Sequence, residues 1–156
     1  MGMYTELVFG AELNGNPGED NEVVRVLRFL CGDTDVVPDP PPDHPFFSTD
    51  RWRFIGTGGS YSFPVTSPHS AVLRDRGNGS VSVSMRCSLK NYAPTIERFL
   101  EWIAPYVTNA YPEFYGYMMY EDAEAPTLIW MWNDGAAHPQ VRYQLVSAEW
   151  LAQEGL

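Results

Sequence analysis

Lysine is nearly absent from this 156-residue chain: of its ten basic residues only Lys90 is not an arginine. Cysteine is scarce as well, with Cys31 and Cys87 alone. Two isolated thiols cannot form the paired Cys-x-x-Cys of a zinc ribbon or a redox motif, and neither can HExxH be found. There is no GK[ST] phosphate loop and no G-x-S-x-G elbow, which argues against P-loop nucleotide chemistry and against an α/β-hydrolase nucleophile. No apolar run approaches the ~20 residues that span a bilayer, so no membrane partner is expected. Residues 1–6, MGMYTE, have neither a basic region nor an apolar stretch behind it, so a secretory signal is not expected.

What is present is acid. The formal net charge is −10, and residues 1–50 hold ten acids against Arg25 and Arg28, whereas residues 51–156 are nearly balanced. Such a surface repels phosphates, so nucleic acid is not expected as a partner; a basic protein is favoured. Asp33, Asp35, Asp39 and Asp43 lie in "DTDVVPDPPPDHPFF", residues 33–47. Five prolines there preclude regular structure and predict a stiff extended connection, so these four carboxylates are expected to be exposed.

Around that connection the periodicities are clear. "YTELVFGAEL", residues 4–13, alternates like a half-buried strand. Asn16-Pro17-Gly18-Glu19 has the chemistry of a helix start, and Val23, Val24, Leu27, Leu30 and Cys31 follow at helical spacing up to Gly32. "RWRFIGT" and "SYSFPV" are β-type runs, and residues 80–89, "SVSVSMRCSL", alternate cleanly. "NYAPTIERFLEWIAPYV" predicts a second helix with Ile96, Phe99, Leu100 and Ile103 buried. "EFYGYMMYED", "APTLIWMWND" and the tail "QVRYQLV" are strands, and a weak helix starts near Ser147. The order β-α-β-β-(β)-β-α-β-β predicts one α+β domain over residues 1–156. A mostly antiparallel sheet with two helices on one face is expected, as an elaborated ferredoxin-like sandwich.

"FIGTGGSYSF", residues 54–63, is the nearest approach to a ligand motif. A phosphate cradle needs a helix N-terminus behind its glycines. Here a strand pattern follows, so Gly58-Gly59 reads as a hairpin turn between two β-type runs. His44, His69 and His138 sit beside prolines in loops, without metal-ligand spacing, and Asp33-x-Asp35 fails as a calcium loop because Val37 and Pro38 follow. Neither catalytic residues nor a cofactor or metal site can be assigned, and the two cysteines read as buried thiols.

The aromatic strands are the unusual feature. Both faces of "FYGYMMY" and "LIWMW" are apolar. Strict alternation puts Phe114, Gly116, Met118 and Tyr120 on one face and Tyr115, Tyr117 and Met119 on the other, while Leu128, Trp130 and Trp132 oppose Thr127, Ile129 and Met131. A sheet covered on one side only should have a polar second face. Either both sides are covered, or one is a contact surface of Tyr, Trp and Met, and homodimerisation through it is one form of such contact. Tyr115, Tyr117, Trp130 and Trp132 are its candidate residues.

"MYTELVFGAEL", "DHPFF", "RW", "SYSF" and "RCSLKNYAPTIERFLEWIAPY" resemble small proteins encoded by bacteriophages and prophages. The resemblance implies a bacterial cytoplasm and a product that binds a host or phage protein; it assigns no site residue. The expectation is therefore a cytoplasmic modulator or inhibitor that works by contact with a protein, such as a basic host protein. The alternative is a small-ligand domain or small enzyme whose pocket is lined by Trp52, Tyr61, Trp130 and Trp132.

Overall fold

The computed structural model describes residues 3–13, 21–59, 71–75, 80–107, 109–135, 137–153 and 155. In chain order the elements are β1 (Thr5–Glu12), α1 (Glu22–Leu30), β2 (Ala71–Asp75), β3 (Val81–Leu89), α2 (Thr95–Val107), β4 (Glu113–Tyr120), β5 (Thr127–Trp132), β6 (Gln140–Leu145) and α3 (Ala148–Gln153). All six strands form one antiparallel sheet in the order β2-β3-β1-β4-β5-β6, an α+β arrangement. α1 links β1 to β2 across β3, and α2 links β3 to β4 across β1, so the first four strands interleave two split βαβ units. β5 and β6 widen the sheet beyond β4.

The pairing register sorts the side chains. Leu7 faces Cys87, Phe9 faces Met85 and Ala11 faces Val83, all on the side that meets the helices. Phe9 meets Phe99 of α2 edge-on at 5.5 Å between ring centroids. The α2 stripe of Ile96, Phe99, Leu100 and Ile103 is buried as its spacing predicts, joined by Trp102, Ala104 and Val107. Val23, Val24, Val26, Leu27 and Leu30 of α1 complete the same core. The other side of β1 and β3 is polar: Glu6, Ser82, Ser84 and Arg86, with Arg86 Nε 3.5 Å from Glu6 Oε1. Cys31 and Cys87 are both buried and free.

The segment after α1 is neither helix nor strand up to His44, then turns into a 3₁₀ helix, Pro45–Ser48. That turn buries Phe46 and Phe47 against Trp52 and Trp102. Aromatic packing also overrides the β-type run expected at 51–57. Trp52–Phe54 is a second 3₁₀ turn, because Trp52 enters the cluster of Phe29, Phe46 and Phe47 and the chain must wind to deliver it. The glycines after it make close backbone approaches. Gly56 has φ +91, and a Cβ on Gly58 would lie 2.8 Å from the Ser88 carbonyl oxygen. Gly58 N–H donates to Phe54 O at 2.8 Å, and its own carbonyl accepts from Ser88 N at 2.9 Å. Gly58 thus presses a 3₁₀ turn onto β3 and does not join two strands; the "SYSFPV" run and Tyr61 lie outside the described residues.

The expected helix start at Asn16 also lies outside the described residues. The observed N-cap is Asn21, whose side chain accepts from Val23 N at 2.8 Å. In α2, Asn91 does comparable work from outside the helix: its carbonyl accepts from Ile96 N at 2.8 Å and its amide donates to Glu97. Among the described residues no helix is long and apolar enough to cross a membrane.

Candidate functional site: the sheet face away from α1 and α2

One glycine decides which aromatic side chains meet solvent. Phe114 pairs with Trp130 and Gly116 pairs with Ile129, so Tyr115 is an extra residue in a β-bulge. Gly116 has φ +151, and a Cβ there would overlap the Val8 carbonyl, so only glycine lets β4 bend this closely over β1. The bulge swings Tyr115 to the helix side. It is 8% exposed and stacks on Phe9 at 6.3 Å, and its hydroxyl donates to the Val107 carbonyl at 2.7 Å. Burial, then the neighbouring Glu113 carboxylate, pushes that phenol up to about 12. Tyr115 therefore belongs to the core and does not share a face with Tyr117, which corrects the strict alternation expected of this strand.

Phe114 moves the opposite way and is 52% exposed on the side away from α1 and α2. With it, by register, stand Tyr117 and Met119 of β4 and Leu128, Trp130 and Trp132 of β5, each partly exposed. Phe114 and Trp130 are in contact at 5.6 Å between ring centroids. From β6, the Arg142 guanidinium lies 5.7 Å over the Trp130 ring and 5.9 Å over the Trp132 ring. The result is a continuous stack, Phe114–Trp130–Arg142–Trp132, laid across three strands. Cation–π contact of this kind contributes about 0.5–1 kcal/mol at a partly exposed site, and it fixes the rings in place. Trp130 Nε1 is shut off from solvent and has no hydrogen-bond acceptor among the described residues.

The charge of this face differs from that of the molecule. Its strand residues include Arg74, Arg86 and Arg142 against Glu6 and Glu12, in a chain whose net charge is −10. The acid lies on the other side. Asp33, Asp35, Asp39 and Asp43 are all exposed, on the segment that leaves α1. Asp39 lines a cleft of about 530 Å³ between α1 and the prolines. Asp43 lines a second, of about 780 Å³, with Glu22, Glu101, Trp102 and Tyr106. His44, at its edge, accepts from Phe46 N through Nδ1 at 3.1 Å, and burial lowers its pKa below the ordinary 6.5. Since α1 and α2 wall these clefts, the aspartates and the aromatic stack are on opposite sides of the sheet.

Sequence reasoning thus named Tyr117, Trp130 and Trp132 and rightly set Met119 beside Tyr117 and Leu128 beside the two tryptophans, but it misplaced Tyr115, put Phe114 on the other face and left out Arg142. A glycine inside an otherwise apolar strand was the available sign of a bulge. Trp52 packs on the helix side, across the sheet from Trp130 and Trp132, so a pocket shared by these three tryptophans is not formed. Among the described residues no three His, Cys, Asp or Glu side chains are placed to hold a metal ion.

Comparison with family models, curated proteins and solved structures finds no match to this chain.

Proposed function

We propose that this chain is a protein-binding module whose anchor is the aromatic face turned away from α1 and α2. One observation carries the reading: Phe114, Tyr117, Met119, Leu128, Trp130 and Trp132 form one partly exposed patch on the side of the sheet turned away from α1 and α2. Large aromatic and Met side chains gathered at a surface are the composition of interface cores. Their rings are preorganised by Arg142 and by each other, so docking orders few further side chains. The reading is a binder and not an enzyme because this face offers stacking and apolar area; of its two carboxylates, Glu6 is engaged by Arg86.

In the setting that the resemblance to phage-encoded proteins implies, the partner is a bacterial host protein and the effect is modulation or inhibition. The acidic side is then a separate surface. Asp33, Asp35, Asp39 and Asp43 attract a basic protein and speed encounter, and in this acid-rich cleft Trp102 and Tyr106 suit a Lys or Arg side chain.

The test is capture from bacterial lysate, with the captured protein identified and its binding then measured directly with purified components. Phe114→Ser with Trp132→Ser should abolish the complex, since truncating such anchors costs roughly 2 kcal/mol or more each. A complex that survives this double change, in a variant whose circular dichroism is unaltered, overturns the reading.

A further inference from the structure

We propose that the outer edge of β6 pairs with the same edge of a second copy of this chain, joining two six-stranded sheets into one across a two-fold axis. β6 is the last strand of the sheet, so one row of its backbone N–H and C=O groups faces away from β5. Among the described elements its substantial neighbours are β5 and, on the helix side, α2.

Proteins usually protect such an edge with a charge, a proline or a covering element. Pro139 precedes the strand and does not interrupt it. The strand's one charge, Arg142, is drawn back over the Trp130 and Trp132 rings of its own molecule and does not guard the edge. What the edge presents is apolar: Leu145 is 76% exposed and Tyr143 is 37% exposed. Between Gly135 and Ala148 there is no acidic residue, so two strongly acidic molecules can meet here without opposing carboxylates on the paired strands. Near Tyr143, α2 contributes Glu97 and Glu101 together with Arg98, which is paired to Glu101 at 3.0 Å.

Self-complementarity fixes the register. A two-fold axis normal to the sheet makes β6 antiparallel to its twin and keeps both helix layers on one side. Directly opposed residues then share a face, which leaves two central registers. Arg142 on the axis would oppose two guanidinium groups and leave Leu145 bare. Tyr143 on the axis opposes Tyr143 with its twin, Val141 with Leu145, and Arg142 with Gln144. The second register opposes no like charges, covers Leu145 and matches apolar with apolar. It also sets the two Trp130–Arg142–Trp132 stacks side by side on one continuous surface. The inference is independent of what that surface binds.

Sedimentation of the intact chain over a concentration series should show a reversible dimer. Leu145→Lys changes an exposed side chain, so it should leave thermal unfolding of the dilute monomer unaltered and weaken the dimer by about tenfold or more. Tyr143→Cys should give a disulfide-linked dimer under mild oxidation, because the native thiols are buried, and Arg142→Cys should not. A monomeric mass throughout, or a dimer indifferent to Leu145→Lys, overturns the proposal. So does cross-linking through Arg142→Cys in place of Tyr143→Cys.

Discussion

Gly116 is the residue on which the division between core and surface turns. Any side chain there meets the Val8 carbonyl in a backbone conformation that L-residues avoid. Gly116→Ala is therefore expected to lower stability by about 2 kcal/mol or more in urea unfolding. If the bulge straightens instead of the fold weakening, Tyr115 loses its seat and its fluorescence becomes that of an exposed phenol. Tyr115→Phe tests the seat more gently. It removes the hydrogen bond to Val107 and should cost about 1 kcal/mol without moving the ring.

The two thiols give a pH signature at the same scale. Burial pushes both from the ordinary 9.0 up to about 12, with Asp33 adding to the effect on Cys31. In the unfolded chain they ionise above pH 9; in the folded chain they keep their protons until about 12. The unfolded state thus binds fewer protons in that window, and stability falls as pH rises through it, by at most about 1.4 kcal/mol per thiol per pH unit. The urea midpoint should be lower at pH 10 than at pH 8, and the drop should shrink in Cys87→Ala. Fast alkylation of both thiols in the native protein would contradict this account.

At the scale of elements, what the sequence made legible was whatever its period alone could settle. The α2 stripe repeats at 3.6 residues and the β3 alternation repeats at 2, and both are buried as spelled. Where a third party decides the conformation, the local pattern misleads. Trp52–Phe54 is β-type in composition but winds, because burying Trp52 among Phe29, Phe46 and Phe47 outweighs a weak strand preference. Phe114 and Tyr115 exchange sides through one unpaired residue, a shift that no alternation count contains. The helix start expected at Asn16 lies outside the described residues; the cap observed on α1 is Asn21, the Asn next to the apolar stripe. Asn21→Ala should accordingly cost about 1 kcal/mol, with the urea m-value unchanged.

At the scale of the molecule, the sheet acts as a divider. The aspartates of the proline segment and the aromatic stack lie on opposite sides of it, so they cannot act as one footprint. For a basic partner, replacing Asp39 and Asp43 with Asn should slow association and flatten its salt dependence. Replacing Trp132 with Ala should speed dissociation from whatever the aromatic face anchors. If both act on one partner, their effects on binding free energy should add to within about 0.5 kcal/mol, as distant sites do. A larger coupling in a double-mutant cycle would show that the two surfaces are joined after all.

The place of β1 in the middle of the sheet has a consequence in time. Leu7 finds its two neighbours only at Cys87 and Met118, some 80 and 111 residues later. At about 5–20 residues per second, a ribosome leaves this strand waiting roughly 4 to 16 s with both of its edges open, and longer still for its second neighbour. Leu7 and Phe9, both fully buried in the finished core, are thus among the first parts made and among the last parts covered. The nascent chain must spend those seconds either collapsed on α1 or held by a chaperone. Pulse labelling of stalled chains should find β1 unprotected until β4 has left the exit tunnel.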